Sequence, residues 1–104
     1  MKLQIVNVKP WKAWDKETNK SGDRLGTTYT VLRYKPRGPV LVDVKVPGAE
    51  VITANEIRAH AANAATVWAE LEGYEEDAYA RDNSVYYTAV ATSVVLDPAV
   101  LDFD

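Results

Sequence analysis

The stretch Val40-Leu41-Val42-Asp43-Val44-Lys45-Val46 decides the fold. Side chains of a β-strand point to opposite faces in turn, so the alternation sets four valines on one face. Leu41, Asp43 and Lys45 fall on the other. The turn formers Pro36-Arg37-Gly38-Pro39 precede the run and Pro47-Gly48 follows it, which bounds a single strand.

Working outward, residues 3–8 predict a first strand, stopped by Pro10. Residues 11–25 are polar, with a loop-like centre at 18–23 where Asn19 and Gly22 can take positive φ. Residues 27–34 are rich in β-branched and aromatic types and predict a second strand. After the valine strand, Thr53-Ala54-Asn55-Glu56 has the capping-box form, opening a short helix to about Ala62. Residues 66–72 predict a strand with Val67, Ala69 and Leu71 inward and Thr66, Trp68, Glu70 and Glu72 outward. Residues 73–83 read as a long hairpin arm or loop. Residues 84–96 read as a last, long strand broken by Asp97-Pro98.

This order predicts a mainly β protein. It is that of a small five-stranded OB-like barrel with one short helix between strands 3 and 4. Another small barrel or an α+β roll shares the order. One domain is expected over residues 1–98, with a short acidic tail at 99–104.

At 104 residues, 47% of them apolar, the chain can bury one core. It has no cysteine, which excludes disulfides, zinc–thiolate sites and thiol nucleophiles. No targeting segment is visible and no apolar run approaches the roughly 20 residues of a membrane span. A cytoplasmic location is therefore expected, in the host cell if the chain is phage-encoded. The net charge of −3 is segregated. Residues 1–45 carry ten bases and four acids, or +6; residues 46–104 carry two bases and eleven acids, or −9. Such a split can focus an anion on one side of an acidic protein.

Enzymatic readings lack a constellation. His60, the only histidine, lies in the predicted helix with no nucleophile or orienting acid in a motif beside it. Glu75-Glu76-Asp77 lacks the ligand spacing and turn glycine of a calcium loop and reads as a solvated tip. Gly22 and Gly26 are not part of a phosphate loop. No catalytic residue, metal or cofactor is expected.

The aromatics are more informative. Trp11 and Trp14 sit among Lys9, Lys12 and Lys16; Tyr29 and Tyr34 sit among Arg24, Arg33, Lys35 and Arg37. Cations that neutralise phosphates and rings that stack on bases are what sequence-tolerant binding of single strands requires. The candidate nucleic-acid-binding set is Lys9, Trp11, Lys12, Trp14, Arg24, Tyr29, Arg33, Tyr34, Lys35 and Arg37. The same aromatics could fill a barrel core.

Arg24-Leu25-Gly26-Thr27-Thr28-Tyr29 and Pro39-Val40-Leu41-Val42 carry a family resemblance. With the element order, they resemble the single-stranded-DNA-binding proteins of filamentous phages and related mobile elements. The resemblance implies an OB fold, a role in replication or transfer of a phage or plasmid, and a homodimer. It also implies that Arg24 contacts phosphate and Tyr29 stacks on a base. Asp43 stands where that family tends to carry a base.

The expected function is thus sequence-tolerant binding of single-stranded DNA, with RNA not distinguished. The alternative is an acidic protein–protein interaction module, such as a phage-encoded inhibitor or nucleic-acid mimic. It would present Glu70, Glu72, Glu75, Glu76 and Asp77 to a basic protein partner.

Overall fold

The computed structural model describes residues 1–15 and 17–97, with the backbone alone at 14, 15 and 21. The expected acidic tail lies outside the described residues. The elements are β1 (Lys2–Asp15), β2 (Lys20–Lys35), β3 (Gly38–Pro47), α1 (Ala54–Ala62), β4 (Val67–Glu72), β5 (Glu75–Arg81), β6 (Ser84–Val90) and β7 (Ser93–Leu96). The fold is mainly β with one short helix, as expected, but the sheet has seven strands in the order β5-β6-β3-β2-β1-β4-β7 and is not closed.

Two departures raise the expected five strands to seven. The arm at 73–83 contains β5, which turns through Asp82 and Asn83 (φ 52° and 64°) into β6. Two residues in the left-handed region make the tight turn that matches strand twist. The expected last strand breaks at Ala91-Thr92. Its first part, β6, lies parallel to β3, and its second part, β7, pairs antiparallel with β4.

The first strand does not stop at Pro10. There β1 pairs only with β2, because its ladder with β4 covers Lys2 to Ile5 alone. Among the described residues Pro10, opposite Thr27, has no second neighbour to receive an N–H, an edge position at which a strand tolerates proline. Residues 11–25, read as a polar stretch with a loop-like centre, are mostly hairpin; the turn falls near Asn19 (φ 57°) as expected, but Gly22 lies within β2 without positive φ.

The valine strand is as the alternation dictates. Val42, Val44 and Val46 are buried against Ile5, Val31, Val67, Ala69 and Leu71, while Leu41, Asp43 and Lys45 face out. The helix carries the full capping box: the Glu56 amide donates to Thr53 Oγ1 at 3.1 Å and the Thr53 amide to Glu56 Oε1 at 3.4 Å. Ile57 is its one buried side chain. The radius of gyration is 14.8 Å, against about 13 Å for a compact domain of this length. The excess reflects two hairpins, β1–β2 and β5–β6, that reach past the core.

Gly26 fixes how closely β1, β2 and β3 approach. A Cβ there would lie 2.2 Å from the Val46 carbonyl oxygen and 2.9 Å from the Trp11 ring. Gly26→Ala is expected to cost about 1–3 kcal/mol, because a backbone oxygen cannot rotate away as a side chain can. Urea unfolding measures this; an unchanged midpoint would show that the strands separate freely here.

Candidate nucleic-acid interface

The ten residues singled out in the sequence do not line one groove. The structure divides them among the outer sheet face, the core, the hairpin of β1 and β2, and the base of the arm.

On the outer face, ladder pairing sets Trp11, Gly26 and Pro47 in one row, Lys9, Thr28 and Lys45 in the next, and Asn7, Thr30 and Asp43 in a third. The middle strand contributes only Gly26, Thr28 and Thr30, so the face is low along its centre. Trp11 is partly exposed over Gly26, and Lys45 Nζ lies 5.7 Å from a Trp11 ring centroid. Lys9 Nζ is 3.1 Å from Asp43 Oδ2. Burial pushes the Asp43 carboxyl up, but hydrogen bonds from Thr30 and Lys9 and the charges of Lys9 and Lys45 outweigh it. Asp43 is thus held ionised below the usual carboxylate range. Lys45 was not among the candidates. It could have been, since the valine alternation puts it on the face opposite the core.

Tyr29 belongs to the core. Its ring is 1% exposed and its hydroxyl accepts the Val51 amide at 3.0 Å. It cannot stack on a base, contrary to the family expectation, because it shares the inward parity of Val31. Burial raises its hydroxyl pKa most, against the lowering effect of the Val51 amide.

Arg24 is occupied internally. Its Nε donates to the Gly26 carbonyl at 2.9 Å and its Nη2 to Thr27 Oγ1 at 2.8 Å, and Nη2 also pairs with Glu50. Lys12 is exposed opposite Arg24 in the ladder. Trp14 has its backbone opposite Ser21, and its side chain lies outside the described atoms.

Arg33 and Lys35 face the arm. Arg33 Nε donates to Glu76 Oε1 at 3.2 Å, Lys35 Nζ pairs with Glu76 Oε2, and the Tyr74 hydroxyl donates to Glu76 Oε1 at 2.6 Å. The guanidinium of Arg33 is 5.6 Å from the Tyr74 ring centroid, and Lys35 Nζ is 4.7 Å from that of Tyr87. Glu76 is thus no solvated tip but the clamp that fastens the arm to β2. Burial raises its pKa, but hydrogen bonds from Lys35 and Tyr74 and the charges of Lys35 and Arg33 leave it below the usual value. Burial and the Glu76 carboxylate raise the Tyr74 hydroxyl well above its usual value. Exposed Arg37 borders an open cleft of about 600 Å³ with Val40, Val85 and Tyr87. Tyr34 is 76% exposed, the most open of the candidate tyrosines.

Among the described residues, no cluster of three or more His, Cys, Asp or Glu side chains could hold a metal, and no helix is long and apolar enough to cross a membrane. No family model, no curated protein and no solved structure matches the chain.

Two outcomes follow. Tyr29→Phe is expected to cost about 1 kcal/mol of stability, the worth of one hydrogen bond, and to leave any oligonucleotide affinity unchanged. A large fall in affinity, with stability intact, would restore Tyr29 as a contact. Glu76 has a lowered folded-state pKa, so its stabilisation is present above the unfolded-state value near 4.5 and is lost as pH falls through the folded one. Wild type should therefore lose stability from about pH 4.5 downward more steeply than Glu76→Gln. Parallel acid curves for the two would show that the clamp contributes nothing.

Proposed function

We propose that the chain is a sequence-tolerant single-stranded-DNA-binding protein that uses the outer face of β1, β2 and β3. The observation that carries this reading is the partly exposed Trp11 ring with Lys45 beside it, set over side-chain-free Gly26. A ring and a cation on a shallow, small-residue floor can stack on one base and neutralise a neighbouring phosphate. Lys9 and Lys12 extend the positive charge along β1. The reading takes the architecture as OB-like. Its supports are the β1–β2–β3 meander, the parallel contact of β3 with β6, the helix between β3 and β4, and β7 beside β4. A role in replication or transfer of a phage or plasmid, and a homodimer, belong to the same proposal.

Arg24, Arg33 and Lys35 are secondary here, because each holds a carboxylate in a pair less exposed than Lys9–Asp43. Arg37 and Tyr34 lie at the far end of β2, where a longer strand would extend.

Tryptophan fluorescence titrated with oligo-dT tests the reading. Wild type should be quenched at low salt and recover as salt is added. Trp11→Ala should cost about 1–3 kcal/mol of affinity, the range for one stacked base. Lys45→Ala should lower the salt slope by about one phosphate. Tight binding that ignores salt, or no binding at all, would overturn the proposal.

A further inference from the structure

Strand β5 ends the sheet order, so one of its edges has no neighbour among the described residues. It is seven residues long, contains neither proline nor lysine, and all of it but Glu76 is exposed. An edge of this length with free amides and carbonyls is a template for another strand. The arm also leaves Tyr79, Val85, Tyr86 and Val90 about half exposed.

The parity of the hairpin states which groups are available. The two-residue turn at Asp82-Asn83 makes Arg81 and Ser84 a hydrogen-bonded pair, and the pattern then alternates. Glu75, Asp77, Tyr79 and Arg81 therefore direct their backbone groups to β6. Glu76, Ala78 and Ala80 direct theirs to the open edge. On one face of the hairpin lie Asp77, Tyr79 and Arg81, with Tyr79 and Tyr86 stacked at a 5.5 Å centroid separation.

We propose that β5 pairs antiparallel with β5 of a second copy of this chain, about a two-fold axis at Tyr79. In that register Ala78 and Ala80 of one copy exchange backbone hydrogen bonds with Ala80 and Ala78 of the other. Tyr79 meets its own counterpart in a non-hydrogen-bonded pair, where side chains approach most closely. Asp77 of each copy falls opposite Arg81 of the other, on the same face. The symmetry makes both salt links at once, and the tyrosines form a four-ring row, Tyr86–Tyr79–Tyr79–Tyr86. The self-complementary order of acid, ring and base about Tyr79 selects a copy of this chain over another partner. Among the described residues Arg81 pairs only with Asp82, at 3.8 Å and largely exposed, which leaves it available. The inference gives an interface to the homodimer of the proposed function; the charges on β5 carry it, not the nucleic-acid reading.

Sedimentation equilibrium of the whole chain across a dilution series tests it, with circular dichroism as the check on folding. Wild type should dimerise. Asp77→Arg and Arg81→Asp should each weaken the dimer about tenfold or more, since like charges then face each other twice. Mixing the two variants should form a heterodimer, because every pair is again of opposite sign, and the double variant should dimerise as wild type does. A wild type that stays monomeric at all concentrations would overturn the interface. So would a dimer that ignores both reversals, or mixed variants that do not associate. Oligo-dT titration of the same samples separates the two proposals: a monomer that binds DNA leaves the function standing, and a charge-dependent dimer without DNA binding leaves the interface standing.

Discussion

Ala91 and Thr92 donate their backbone amides to two strands that the ladder sets far apart. Ala91 bonds to the Lys45 carbonyl of β3 at 3.1 Å, and Thr92 to the Glu72 carbonyl of β4 at 2.8 Å. Two adjacent residues thus tie together strands with β2 and β1 between them in the sheet order. The sheet must curl for this to happen, and the curl is what gives Val44, Ala69, Leu71 and Ala89 a common interior. Thr92 is locked further by its hydroxyl, which bonds the same Glu72 carbonyl at 3.0 Å. Gly73 follows at φ 65°, and a Cβ there would meet Thr92 at 2.8 Å. A turn of positive φ and the close passage of Thr92 both call for glycine at that point.

From this junction the two exposed features take their places. β6 leaves β3 just before it, so the arm projects beside the end of β2 and brings Glu76 onto Arg33 and Lys35. The arm needs that clamp. A two-stranded hairpin is marginal in water by itself, and most of β5 and β6 is exposed. On the opposite side of β3, Lys45 faces out because Val44 and Val46 face in, and Trp11 reaches it across a glycine. Core alternation and candidate interface are two readings of the same strand.

How much of this was legible follows from which residues decide locally. The valines, the capping box and the outward Trp68 rest on period and spacing within a few residues, and each stands where the sequence set it. Pro10 misled because its tolerance depends on which neighbour β1 lacks at that position, a fact about β4 and not about Pro10. Tyr29 misled because residues 27–32 of β2 are apolar or β-branched on both faces. Thr28 and Thr30 are buried under Lys9, Asp43 and Lys45 side chains, so polarity did not mark the outside. Its parity with Val31 was the better signal. The break at Ala91-Thr92 had none, since it answers two carbonyls remote in sequence.

Charge shows the same limit most sharply. The first 45 residues carry an excess of bases, yet three carboxylates settle on them. Asp43 takes Lys9, Glu50 takes Arg24, and Glu76 takes Arg33 and Lys35. Glu50 and Glu76 come from the acidic part of the chain, so folding mixes what the sequence kept apart. Exposed pairs such as Lys9–Asp43 contribute little to stability and open readily, so a phosphate can compete for Lys9. The Glu76 clamp is different, because the carboxylate and its cations are partly buried and Glu76 also accepts the Tyr74 hydroxyl. A polyanion would meet an interface of unequal cations: Lys45 and Lys12 ready, Lys9 and Arg24 contested, Arg33 and Lys35 withheld for the arm. Were a polyanion to bind, the counterions released would depend on how many of these carboxylates yielded their cations, and so on the fold as well as on the ligand.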